Sequence, residues 1–163
     1  MHVAGAAWCQ GQVIKSNKPG ETKNYPRHNF RRFAVSSGGI ENMIDHIQVD
    51  VQDFEKSKAF YQAALAPLGY ELIFEVNGWA GFGVGGSIDF CLQSGRQTIS
   101  GIHVAFRSNN QAQVRAFYEA ALQAGGKDNG PPGIRAHYHP HYYGAFVIDS
   151  DDHNIEAVCH NPE

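Results

Sequence analysis

Two stretches of this chain repeat one another without a gap, and that duplication constrains the fold more than any other feature. His46-Ile47 leads into Ala59-Phe60-Tyr61-Gln62-Ala63-Ala64-Leu65, and His103-Val104 leads into Ala116-Phe117-Tyr118-Glu119-Ala120-Ala121-Leu122. His46 to His103 and Ala59 to Ala116 are both spacings of 57 residues. Across 46–71 and 103–128, eight of twenty-six positions are identical. A repeat of this length marks duplicated supersecondary units that bury their apolar faces against each other. It also delivers a histidine to the same place in both copies.

Each copy opens on a strand pattern. In 44–51, Ile47, Val49 and Val51 alternate with His46, Gln48 and Asp50; in the second copy Ile102, Val104 and Phe106 alternate with His103, Ala105 and Arg107. A helix follows in both, with Asp53 and Asn110 as N-caps and Asn110 to Gln113 matching a capping box. Gly69 and Gly125-Gly126 stop the helices. Short strands are predicted over 70–76, 79–84 and 88–93, separated by Asn77-Gly78 and Gly85-Gly86 turns. In the second copy strands are predicted over 142–149 and 154–160, after a longer connection holding a Pro131-Pro132-Gly133 loop. The order β-α-β-β-β therefore occurs twice. Gly81 to Gly86 fits G-x-G-x-x-G formally, but it leads into a strand, and the dinucleotide reading fails on context.

Composition limits the function classes. Among 163 residues the net charge is −3, which points to neither nucleic acid nor an acidic membrane surface. No apolar run approaches the roughly 18 residues of a membrane span. Cys9, Cys91 and Cys159 lack metal-site spacing and fit a reduced, cytoplasmic protein. Residues 1–42 carry six lysines and arginines against Glu21 and Glu41, among Gly, Asn, Ser and Pro, and read as a flexible extension. The folded domain is expected over 43–163, in modules of about 43–98 and 99–163.

Ile88-Asp89-Phe90 and Ile155-Glu156-Ala157 end the two copies alike. If the apolar faces pack on the helices, one sheet face carries His46, Asp89, His103 and Glu156, an imidazole and a carboxylate from each copy. That composition suits zinc, nickel, cobalt, manganese or iron, without choosing between them. The acidic run Asp149-Ser150-Asp151-Asp152-His153-Asn154 reads as a turn, since it lacks the glycine and distal glutamate of a calcium loop.

On these residues, the chain resembles the vicinal oxygen chelate superfamily, the glyoxalase, bleomycin-resistance and dioxygenase group. The resemblance rests on Ile44-Asp45-His46-Ile47, Ser57-Lys58-Ala59-Phe60-Tyr61, Gly101-Ile102-His103-Val104-Ala105-Phe106 and Ile155-Glu156-Ala157-Val158. It implies an α+β fold in which two tandem βαβββ modules form a curved, mixed, eight-stranded sheet around a cup. It further implies one divalent metal ion held by His46, Asp89, His103 and Glu156, with Asp89 a methylene shorter than the usual residue there. Whether one chain or two complete each cup stays open, so a homodimer is among the expectations.

The expected activity is that of a lyase or isomerase similar to lactoylglutathione lyase, acting on a small substrate with vicinal oxygens. The metal would stabilise an enediolate-like anion, while Glu156 or Asp89 moves the proton. The alternatives are a ferrous ring-cleaving dioxygenase built on two histidines and a carboxylate, and a non-catalytic binder of a small molecule. The string from His137 to Tyr143 is expected to border the cup and contact substrate through His137, His139, His141 and Tyr143, with Arg107 nearby.

Overall fold

The computed structural model describes residues 44–95 and 97–162. The basic extension expected over 1–42, Cys9 included, lies outside the described residues. The compact folded unit begins at His46. Its first module runs β1 (Ile47–Asp50), α1 (Phe54–Leu65, continued by a 3-10 turn Ala66–Leu68), β2 (Glu71–Val76), β3 (Trp79–Val84) and β4 (Ser87–Gln93). The second runs β5 (His103–Arg107), α2 (Gln111–Gln123), β6 (Lys127–Ile134), β7 (Tyr143–Ile148) and β8 (Asn154–Cys159). Two βαβββ modules are thus present as expected. The eight strands hydrogen-bond as two sheets of four, ordered β1-β4-β3-β2 and β5-β8-β7-β6, rather than as one continuous ladder among the described residues. In each sheet the first strand pairs parallel with the last, and the other pairings are antiparallel.

Local chemistry explains the element ends. Asp53 accepts from Lys56 N at 3.1 Å and Asn110 from Gln113 N at 2.9 Å, so both helices are capped as the sequence predicts. The Gln113 side chain does not close a capping box: its Oε1 accepts from Asn109 N, one residue before the cap. The Asn77-Gly78 turn has positive φ at both residues, 48° and 79°, the geometry that suits the right-handed twist of a tight hairpin.

The Pro131-Pro132-Gly133 segment, read from sequence as a loop, belongs to β6. It lies at the edge of its sheet with register shifts between Asp128 and Gly130 and between Gly130 and Gly133. An edge strand can leave one row of backbone groups unpaired, which is where proline is tolerated.

The core is shared by the modules. Phe90 of β4 meets Tyr61 of α1 at 4.8 Å and Phe106 of β5 edge-on at 5.2 Å, while Tyr70 meets the same Phe106 edge-on at 5.3 Å. A second tie is polar. The acidic run is a turn joining β7 to β8, but its Asp149 and Asp151 are buried at 2 % and 5 % exposure. Tyr61 donates its hydroxyl to Asp149 Oδ2 at 2.6 Å. Asp151 accepts from Gln52 N and from Ser57 Oγ, both at 3.0 Å, at the start of the other module's helix. Buried carboxylates are tolerated only when bonded in this way.

Candidate functional site

The second module assembles a connected polar group on the sheet face opposite the core. Val104 and Phe106 are buried among the core residues, so His103, Ala105 and Arg107 of β5 face the other way. On β8, Ile155, Ala157 and Cys159 belong to the core, leaving Asn154 and Glu156 on the face of His103. Glu156 Oε2 lies 3.1 Å from His103 Nε2, and its Oε1 accepts from the Tyr142 hydroxyl at 2.6 Å. The Glu156 side chain is 2 % exposed and the His103 side chain 47 %, so the imidazole meets solvent and the carboxylate stands behind it. Burial pushes the Tyr142 phenol well up, and its bond to the Glu156 carboxylate pushes it the same way. Gly144 leaves room for the pair: a Cβ there would stand 2.9 Å from Glu156 Oε1 and 3.2 Å from Tyr142 Cε1.

Around this pair, Phe146 stacks on His103 at 6.3 Å, and the Arg135 guanidinium sits 5.4 Å from the Phe146 centroid. His139 Nε2 lies 2.8 Å from His160 Nδ1, and both rings stand against Tyr142. Beside His160, a cleft of about 290 Å³ is lined by Arg107, Ser108, Asn109 and Asn161.

The first module does not mirror this arrangement. Ile47 pairs with Phe90 and Gln48 with Cys91, whereas Val104 pairs with Ile155 and Ala105 with Glu156. Through the 57-residue repeat, the register partner of Glu156 is therefore Cys91, not Asp89, and Asp89 corresponds to Asn154. The motif alignment of Asp89 with Glu156 is off by two residues. A β-bulge compounds the difference: Phe82 pairs with Phe90 and Gly83 with Ile88, which leaves Asp89 as the extra residue. A Cβ on Gly81, the partner of Cys91, would stand 3.2 Å from Ile88 Cγ2, so Ile88 shares the Cys91 face. Asp89 turns instead to Tyr70, whose hydroxyl donates to Oδ2 at 3.0 Å. Burial raises the Asp89 carboxyl above its usual range, although the Tyr70 bond works against this.

Of the four expected ligands, His103 and Glu156 come together. His46 directly precedes β1, and Asp89 is engaged by Tyr70. Among the described residues, no group of three or more His, Cys, Asp or Glu side chains could hold a metal ion. The described residues of one chain therefore bring together two of the four donors expected from the resemblance.

Residues 137–142 of the aromatic string form a loop of turns, not an extended segment, and Tyr143 opens β7. His137 and His141 are exposed, and His139 reaches His160. Tyr143 points the wrong way for a substrate role: it is 9 % exposed within the core and receives Arg115 Nη1 at 3.4 Å. Its neighbour Tyr142 is the tyrosine that bonds Glu156. Strand parity carries that signal, because Tyr143, Ala145 and Val147 form the apolar series and Tyr142, Gly144 and Phe146 the other.

A paired-module βαβββ architecture with an imidazole–carboxylate pair on the face away from its helices defines a fold class more sharply than it defines a reaction. The model of the Glyoxalase/Bleomycin resistance protein/Dioxygenase superfamily matches residues 43–157, and the chain belongs to that superfamily. A glyoxalase/bleomycin resistance protein from Albidiferax ferrireducens is similar in structure, with TM-score 0.66 and 27 % identity over 72 % of this chain and 99 % of that one. A family enzyme from Burkholderia phytofirmans gives TM-score 0.57 at 15 % identity, covering 72 % and 98 %. The fosfomycin resistance protein FosX from Mesorhizobium loti gives 0.56 at 18 %, covering 76 % and 95 %. The last two establish likeness of fold alone. No curated protein matches the sequence. No helix among the described residues is long and apolar enough to cross a membrane.

Proposed function

We propose that this protein is an enzyme that moves a proton on a small substrate bearing vicinal oxygens, a lyase or isomerase similar in class to lactoylglutathione lyase. The observation that carries the reading is the 3.1 Å contact between a solvent-facing His103 and a buried Glu156. A carboxylate this buried is stable only when bonded, and here Tyr142 and His103 take one oxygen each. A proton taken from the substrate's carbon would rest on the Glu156 carboxylate, with the His103 ring beside it, until it returns to the neighbouring carbon. His139, His137, His141 and Arg107 are the groups that would select the substrate.

A divalent ion of the zinc, nickel, cobalt, manganese or iron group would supply Lewis acidity toward the substrate oxygens. Of its expected ligands, His103 and Glu156 are the two that stand together, and His103 could ligate through Nε2 only with its ring proton moved to Nδ1. Two donors are half of the expected set, so the proton transfer is assigned to the side chains alone. A homodimer that set the first module of one copy against the second module of another would be the arrangement that adds donors. With a single histidine at the carboxylate, the ferrous dioxygenase loses its two-histidine set. The non-catalytic binder keeps one argument, since both Glu156 oxygens already have partners.

The test is deuterium exchange. Candidate α-hydroxycarbonyl substrates are incubated with the protein in D2O, with and without added divalent metal, and carbon-bound deuterium is followed by NMR. Exchange should appear, and Glu156→Gln should slow it at least about 100-fold while leaving the fold intact. Binding of the compounds with no exchange under any metal condition would leave the binder and end the enzyme reading.

A further inference from the structure

His103 lies within a chain of hydrogen bonds whose links, as the side chains stand, all run in one direction. Asn129 of β6 donates its Nδ2 to Asn154 Oδ1 at 3.0 Å. With its oxygen committed, the Asn154 amide turns its Nδ2 toward His103, 2.7 Å from Nδ1. An amide NH2 has protons to give and no lone pair to accept with, so Nδ1 must be the acceptor and carries no proton. A neutral imidazole with a bare Nδ1 is protonated at Nε2. That nitrogen faces Glu156 Oε2 at 3.1 Å, and the other Glu156 oxygen is taken by the Tyr142 hydroxyl at 2.6 Å. The run Asn129 to Asn154 to His103 to Glu156, met from the far side by Tyr142, has no conflict at any link.

We infer that Asn154, held by Asn129, is a positioning residue that sets the His103 ring in its Nε2–H form, making the imidazole a donor to Glu156 and withholding the Nε2 lone pair from a metal ion. The inference rests on the proposed role of the His103–Glu156 pair. It deepens that role by naming what decides between a proton-handling pair and two metal ligands. Ligation through Nε2 would require the ring proton on Nδ1, where it would meet the Asn154 N–H bonds head-on. Asn154 could relieve that clash by turning its amide over, which gives up the bond from Asn129 unless that amide turns as well. An aspartate at 154 would behave oppositely: it accepts from Nδ1–H and still accepts from Asn129, the outer arrangement that supports metal-bound histidines.

The experiment uses the full chain labelled with ¹⁵N in the histidine rings, at a pH of about 8 where an ordinary imidazole is neutral. The His103 signals are assigned by their loss in His103→Asn. Wild-type protein should show an unprotonated Nδ1 and a protonated Nε2. Asn154→Asp should place a proton on Nδ1 and raise Zn(II) affinity, read by calorimetry, about 10-fold or more. Asn129→Ala, which releases the Asn154 amide without touching His103, should give a mixture of the two forms. This second variant keeps the idea testable should Asn154→Asp fail to fold. A wild-type ring protonated at Nδ1, or an Asn154→Asp ring with Nδ1 still bare, would overturn the inference. The ring readout does not depend on turnover. Absence of deuterium exchange alongside the expected ring signals would therefore sink the proposed activity and leave the role of Asn154 standing.

Discussion

Replacing Tyr142 with Phe removes one hydroxyl and should cost the fold about 2 kcal/mol. The ring would keep its neighbours, Tyr138 at 4.8 Å, His160 at 5.2 Å and His139 at 5.5 Å, so packing is nearly conserved. What disappears is a 2.6 Å donor to Glu156 Oε1, on a side chain 2 % exposed that water cannot readily reach. Hydrogen bonds to charged groups are worth roughly 1.5–3 kcal/mol, and a buried acceptor left short of a partner bears the full cost of its desolvation. With a urea slope of about 2 kcal/mol/M, the midpoint should fall by about 1 M with the slope unchanged. Tyr143→Phe is the internal control. Its hydroxyl has only a 3.4 Å contact from Arg115 Nη1, so its midpoint should fall by less than half as much. Equal shifts for the two variants, or a Tyr142→Phe shift below about 0.3 M, would refute the claim that Tyr142 secures the Glu156 carboxylate.

Two further predictions concern neighbouring features. Gly144→Ala should destabilise by about 1–3 kcal/mol, measured by the same denaturation, because its Cβ would press within 2.9 Å of Glu156 Oε1. Asp89→Asn should stabilise at neutral pH, by about 0.5 kcal/mol at most given solvent screening. The folded Asp89 carboxyl titrates above its unfolded value of 3.8, so protonation favours the fold. The wild-type protein holds that contribution below pH 3.8 and loses it as pH rises through the folded value. Thermal melts of wild type and variant should coincide in strong acid and separate toward neutrality, and an opposite order at neutral pH would contradict the burial argument.

The gapless repeat makes the module order legible, and with it the two helices, their caps at Asp53 and Asn110, and the outward direction of His103 and Glu156. Those features depend on local periodicity and short-range bonding, both of which a sequence displays. The Asp89 assignment fails for a different reason. A β-bulge adds one residue to one strand, and nothing in Ile88-Asp89-Phe90 distinguishes it from the regular Ile155-Glu156-Ala157. The pairing of Ile47 with Phe90 reveals the slip and that of Phe82 and Gly83 the bulge, and pairing is a long-range property. The edge strand β6 is hidden by its prolines, whose tolerance depends on an edge position the sequence does not state. Tyr142, by contrast, is legible: strand parity separates it from Tyr143, the residue expected at the site for its place in the aromatic string.

The carboxylates of the β7–β8 turn bear on how the chain finds this structure. Asp149 meets Tyr61 across 88 residues of sequence, and Asp151 meets Gln52 across 99. Closing a flexible loop of about 100 residues costs roughly 4 kcal/mol from the length-dependent part of the closure entropy alone, against about 1 kcal/mol for a hairpin turn of a few residues. The hairpins and helices of each module can therefore nucleate before the tie between modules becomes favourable. That order places Asp151 and Ser57 among the last contacts to form, so that loosening them should speed unfolding far more than it slows folding. The acidic turn is in this sense a latch: it governs how long the two modules stay together once they have met.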